Sequence, residues 1–343
     1  MLEAMHREIA MTASYLNGET IETIYFGGGT PSVLEGAEID ELLAAIATVH
    51  HISGQPEITI EANPDDLTAK KVRTLRRSEI NRFSIGIQSF HDADLHYMNR
   101  VHNAGEALSS IKRVQDAGFE NITIDLIYGT PTMDDRHWQS NIDTALELEV
   151  PHISCYGLTV EPKTALNSLI RKGKLAGVDD EKSAGQFEIL MNSLASAGFE
   201  HYEISNFARP GFYSRHNSAY WKGVPYLGIG PSAHSFNGRL RQSNVANNAQ
   251  YIAEIAEGRV PFEVEKLTAE QKYNEYVMVS MRTIWGVDLS VLRQMGEGCE
   301  AHFLEQIAPL TAKGYVNSNG DVFTLSSKGK LMADYVAMEL FKG

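Results

Sequence analysis

Tyr25-Phe26-Gly27-Gly28-Gly29-Thr30-Pro31 is the stretch on which the reading of this chain turns. It closes an alternating, largely apolar run (Ile21, Thr23, Ile24, Tyr25, Phe26) that predicts a β-strand. Three successive glycines at a strand end let the backbone approach a ligand that a Cβ would keep away. Thr30-Pro31 then stops the strand and turns the chain.

Outward from this strand the pattern repeats. Candidate strands are 22–26, 57–61, 82–87, 121–127, 152–156 and 201–204. Helix-length segments lie between them at 37–49, 68–78, 105–117, 134–148 and 180–197, the first with Leu42, Leu43, Ile46 and Val49 on one face. Ala-Gly-Phe recurs at 117–119 and 197–199, each time as a helix C-cap followed by a strand. Strands alternating with helices predict parallel βα units. Six of them predict a partial or complete (β/α) barrel, with an open doubly wound sheet as the alternative. Ligands in such folds bind at the carboxyl ends of the strands. There the chain places its glycines and Thr30, then Glu61, Gln88, Asp125 and Tyr156. One polar residue at a strand end satisfies a loop; several at one rim predict a site.

The bulk numbers narrow the function classes. The 343 residues are 43% hydrophobic, and the net charge of -14 disfavours a nucleic-acid partner. No apolar run approaches the ~18 residues of a membrane helix. Residues 1–7 do not read as a signal peptide. Two cysteines, Cys155 and Cys299, fit a reducing cytoplasm; Cys155 reads as a small core residue and Cys299 as a loop thiol.

After Pro210 the character changes. Residues 215–236 are rich in glycine, aromatics and histidine and read as loops around a short strand. Helices follow at 247–257, 268–283, 288–295 and 301–313, then a hairpin turning on Asn319-Gly320 and a helix over 327–340. This order predicts a small C-terminal α+β domain of winged-helix type. From Glu265 onward it carries 8 basic and 10 acidic residues, which fits a protein-contact or lid role better than DNA binding. The chain therefore divides into 1–209, a connecting region 210–264, and 265–343.

GGGTP, ITIEANPDD (58–66), RFSIGIQSF (82–90), Asn99-Arg100-Val101-His102 and NITIDLIYGTP (121–131), in this order, resemble the radical S-adenosylmethionine (SAM) family. His216-Asn217-Ser218-Ala219-Tyr220-Trp221 is similar to the HNxxYW motif of its HemW-type heme chaperones, which are related to oxygen-independent coproporphyrinogen III oxidase. The resemblance runs through nearly the whole chain and implies a SAM site at Gly28, Gly29, Thr30, Glu61, Gln88, Arg100 and Asp125. Glu61 suits ribose hydroxyls. Arg100 suits a carboxylate, or else pairs on the surface with Asp92 or Asp94. Asp125 suits a cationic group, or else orients Arg100.

The family also implies a [4Fe–4S] cluster on a CxxxCxxC loop, and no such triplet occurs in these residues. A βα unit needs roughly 30 residues, and residues 2–16 read as the helix of one. The chain is thus expected to start inside that unit, as a partial barrel without its first strand. For heme, the resemblance points to His216, Tyr220 and Trp221, with His234 as a second imidazole; the chemistry alone also allows HNxxYW to be a loop anchor. A cytoplasmic heme carrier that binds SAM and serves a hemoprotein acceptor is the expected function. A porphyrin-pathway oxidase is the alternative, disfavoured by the missing cysteine motif. A winged-helix regulator sensing SAM fits the acidic charge least.

Overall fold

The computed structural model describes all residues from Met1 to Gly343. Seven strands form one curled sheet: β1 (Ile21–Phe26), β2 (Ile52–Ala62), β3 (Arg82–Gln88), β4 (Asn121–Tyr128), β5 (His152–Gly157), β6 (Glu200–Glu203) and β7 (Asn206–Ala208). Their order is β1-β2-β3-β4-β5-β7-β6. The first five run parallel. The sixth predicted strand, β6, runs parallel to the first five as expected, but the unpredicted strand β7 is inserted between it and β5. β6 turns back through Ile204-Ser205 into β7, which pairs antiparallel to both β5 and β6. The parallel half-barrel therefore ends in a hairpin.

The helices that pack on this half are α1 (Leu2–Met11), α2 (Gly36–Val49), α3 (Ala69–Leu75), α4 (Asp92–Tyr97), α5 (Ala104–Asp116), α6 (Asp135–Glu147), α7 (Ala165–Arg171) and α8 (Asp180–Ser196). Asn103 and Asp134 cap α5 and α6 with side-chain oxygens, as their sequence positions demand. The outward residues of the strands (Ile58 and Ile60; Phe83, Ile85 and Ile87; Ile122, Ile124 and Leu126; Ile153 and Cys155) join the helices in a core of 33 buried residues. The inward residues of the same strands are polar.

The connecting region differs from the loops its composition predicts. Arg215–Trp221 is a helix, α9, capped by Ser214. A small antiparallel sheet follows, made of β8 (His234–Phe236), β9 (Arg241–Asn244) and β10 (Phe262–Glu265), with α10 (Asn248–Ala256) between the last two. Buried Glu8 of α1 ties this region down, accepting hydrogen bonds from Tyr251 Oη (2.5 Å), Asn244 Nδ2 (2.6 Å) and the Gly230 amide (2.7 Å).

The last segment runs α11 (Ala269–Met281), β11 (Val287–Asp288), α12 (Leu289–Met295), α13 (Cys299–Ala312), β12 (Val316–Asn319), β13 (Val322–Leu325), α14 (Ser327–Lys330) and α15 (Ala333–Glu339). The final predicted helix is thus two pieces. The hairpin β12–β13 turns at Gly320, whose φ is +60°. This segment buries its own core of 16 residues. Cys299 is the first residue of α13 and buried in that core, which corrects its reading as a loop thiol. No helix of the chain is long and apolar enough to cross a membrane.

Candidate functional site

The concave side of the half-barrel is built by alternation within its strands. Side chains of alternate residues point to opposite faces. β1 thus brings Thr23 and Tyr25 inward, β2 Glu57, Thr59 and Glu61, and β3 Arg82, Ser84 and Gly86. β4 brings Asn121, Thr123 and Asp125, and β5 His152, Ser154 and Tyr156. Parallel sheets normally bury apolar residues on both faces; this one keeps a polar interior. A cavity of about 90 Å³ lies there, lined among others by Tyr25, Glu61, Arg82, Asp125 and, from the α9 side, Asn217.

Glu61 and Asp125, two of the residues singled out by the sequence, line this cavity. Glu61 Oε1 accepts from Tyr25 Oη at 2.8 Å, and Oε2 accepts from the Gly28 amide at 3.2 Å. The glycine edge is tight here: a Cβ on Gly27 would lie 2.4 Å from the Tyr25 ring and 2.9 Å from Glu61 Cδ. The backbone therefore passes where only glycine fits. Burial and the neighbouring Glu61 push the Asp125 carboxyl up to about 7. Arg100 donates to Asn63 Oδ1 (3.1 Å) and to the Gly86 carbonyl (3.4 Å), which corrects the alternative of a surface pair with Asp92 or Asp94. Burial lowers its pKa against the attraction of Asp65 and Asp125. Gln88 takes a left-handed φ of +69° at a break in the β3–β4 register. Its amide stands beside Gly86, where a Cβ would lie 3.0 Å from Gln88 Nε2 and 3.3 Å from Arg100 Nη2. A strained non-glycine residue at a strand end is a frequent mark of a site.

Gly28 reaches Glu61 through its amide, whereas Gln88 and Arg100 meet beside Gly86, outside the residues that line the cavity. Gly29 and Thr30 lie exposed on its lip; Thr30 starts a 3₁₀ turn at Pro31–Val33 and its side chain caps nothing. Sequence reasoning missed Tyr25 as the partner of Glu61, Asn63 as the partner of Arg100, and Arg82. Arg82 is 2% exposed, lies in the floor, and donates to Asn121 Oδ1 and Thr123 Oγ1.

The bowl suits a polar nucleoside. It offers a glycine cradle, carboxylates, a guanidinium and an amide, and the buried Thr59 hydroxyl lacks a partner. The iron–sulfur cluster is different. Cys155 is 1% exposed on the outward face of β5, and Cys299 belongs to the C-terminal core. Two thiols in two separate cores do not fit a three-thiolate site, and no group of three His, Cys, Asp or Glu side chains is placed to hold a metal ion.

α9 stands beside β1, against the same bowl. Buried Glu57 accepts the amides of Arg215 (3.1 Å) and His216 (2.9 Å), and Arg215 pairs with Glu22 at 2.5 Å. The His216 ring stacks on Tyr25, with centroids 4.7 Å apart and planes at 22°. Its Nδ1 lies 2.9 Å from Thr23 Oγ1. Burial lowers its pKa to about 4, so the imidazole is neutral at neutral pH. Tyr220, 44% exposed, packs edge-on to His216 and against Tyr226, and the buried Trp221 Nε1 has no partner. His234 is exposed on β8.

Comparison with known proteins agrees with this architecture. The model of the radical SAM superfamily matches residues 5–145. The heme chaperone HemW of Bacillus subtilis is 35% identical across 98% of this chain and 89% of its own length. HemW of Escherichia coli is 31% identical across 96% and 86%. Among solved structures, the Escherichia coli coproporphyrinogen III oxidase HemN, a radical SAM enzyme, superposes with a TM-score of 0.84 over 99% of this chain and 82% of its own. At 23% identity that likeness speaks for the fold alone.

Proposed function

Because the chain belongs to the HemW family of heme chaperones within the radical SAM superfamily, we propose that it binds heme at α9 and SAM in the bowl, and passes the heme to an acceptor hemoprotein. The observation that carries this reading is the placement of HNxxYW. Its histidine is neutral, held at Nδ1 by Thr23, and has no hydrogen-bond partner at Nε2. A neutral imidazole fixed through one nitrogen is a suitable iron ligand through the other. Tyr220 offers an exposed aromatic face beside it, and Trp221 an unpaired N–H.

In the bowl, Glu61 accepts the ribose hydroxyls of the nucleoside, Arg100 and Gln88 hold its amino-acid end, and Asp125 faces the sulfonium charge. Gly28, Gly29 and Thr30 supply backbone groups at the lip. Bound SAM supplies a cationic sulfonium centre. The three parts take separate duties: 1–209 holds the nucleoside, 210–264 holds heme, and 265–343 contacts the acceptor. A cytoplasmic setting suits the two reduced thiols.

Titration with hemin tests the heme site. Wild-type protein should show a saturable Soret shift that His216→Ala removes. An unchanged spectrum in the variant would eliminate His216 as the axial ligand.

A further inference from the structure

The two proposed ligand sites touch. His216 stacks on Tyr25, and Tyr25 donates its phenol proton to Glu61 at 2.8 Å. Thr23, two residues before Tyr25 on the same face of β1, fixes the imidazole at 2.9 Å. Ser214 and Asn217, which flank His216 in sequence, line the same cavity as Glu61 and Asp125. One aromatic ring therefore separates the iron-binding imidazole from the carboxylate assigned to the nucleoside.

We propose that Tyr25 is a positioning residue that couples the two sites, so that heme on His216 and a SAM-type nucleoside on Glu61 each strengthen the binding of the other. This rests on the function proposed above. With iron held at Nε2, Nδ1 would carry the ring proton and donate it more strongly to Thr23, which would fix the imidazole plane. The fixed ring holds Tyr25 in its stack. The phenol then holds Glu61 in the orientation the ribose requires. Whichever ligand arrives first orders the Thr23, His216, Tyr25 and Glu61 side chains, and the second ligand meets them already ordered. Linkage makes the effect reciprocal: the factor by which heme tightens nucleoside binding equals the factor by which nucleoside tightens heme binding.

The test is a thermodynamic cycle on the full chain, with S-adenosylhomocysteine and hemin as probes. Each dissociation constant is measured with the partner site empty and saturated. The expected result is about fivefold or more tighter binding in each direction. Tyr25→Phe keeps the stack but lacks the phenol, and should bind both probes with the factor reduced to one. Thr23→Val, which leaves the Tyr25–Glu61 bond in place, should reduce the factor as well. A purely structural role for these residues would weaken both probes and leave the factor intact. Independent binding in the wild type, or a factor that survives both substitutions, overturns the coupling alone. Failure of the wild type to bind either probe overturns the underlying function and the coupling with it.

Discussion

Asp125 shows most plainly what single residues contribute. Its carboxyl titrates near 7 because it is buried beside Glu61. Below that pH it is neutral; above it, it bears the charge that attracts a sulfonium. SAM affinity should therefore rise about tenfold from pH 6 to pH 8 relative to S-adenosylhomocysteine, which lacks the sulfonium charge. Asp125→Asn should flatten that difference, as read by calorimetry at the two pH values. Stability moves the opposite way. The folded pKa lies above the unfolded value of about 4, so this group's contribution is full below about 4 and is lost as pH rises through about 7. Residues at strand ends, such as Glu61, Gln88 and Asp125, were legible because a rim position is read directly from a βα pattern. Tyr25, Asn63 and Arg82 were not. Their partners Glu61, Arg100 and Thr123 lie on other elements, and sequence spacing carries no information about such pairs. One signal was available: Glu57-Ile-Thr-Ile-Glu61, Arg82-Phe-Ser-Ile-Gly-Ile-Gln88 and Asn121-Ile-Thr-Ile-Asp125 alternate strictly. Strands of a parallel sheet that alternate instead of staying apolar must have one polar face inside the curl.

Among the elements that escaped the sequence reading, two show the physical reasons most clearly. α9 is seven residues long, too short for a period of 3.6 to stand out, and its helical state comes from its surroundings. Ser214 accepts from the Asn217 amide, and Glu57, thirty-six residues after Ile21 on the next strand, takes the amides of Arg215 and His216. Glu57→Ala would strip both bonds and leave the Arg215 and His216 amides without their buried acceptor. The expected cost is about 2 kcal/mol in urea unfolding, with a weaker hemin titration because the His216 ring loses its anchor. An unchanged titration midpoint would show that α9 stands without the clasp. The other element is the hairpin β6–β7. Alternation identifies 201–204 as a strand, but the three residues of β7 that return from it are too few to show a period, and they enter the sheet between β5 and β6.

At the scale of the whole molecule, the order of the βα units follows from periodicity and turn chemistry. The seams between the parts do not. The C-terminal segment is joined to the half-barrel at β6. The Ile204 amide donates to the Arg282 carbonyl (3.0 Å), the Ile284 amide to the Tyr202 carbonyl (3.0 Å), and buried Glu203 faces Arg282 at 3.5 Å. Ile204 packs against both large cores, so the two share a wall rather than a flexible joint. α9 leans on β2 through Glu57, and the small sheet leans on α1 through Glu8, two buried carboxylates that no local pattern marks as contacts. The result is a curled seven-stranded sheet with a polar interior, and α9 packed along its first strand. The most direct test is a crystal structure of the chain with S-adenosylhomocysteine and hemin. Nucleoside density is expected against Glu61, Gln88 and Asp125, with iron at His216 Nε2. A nucleoside bound outside the bowl, or iron on a residue remote from α9, would contradict this expectation.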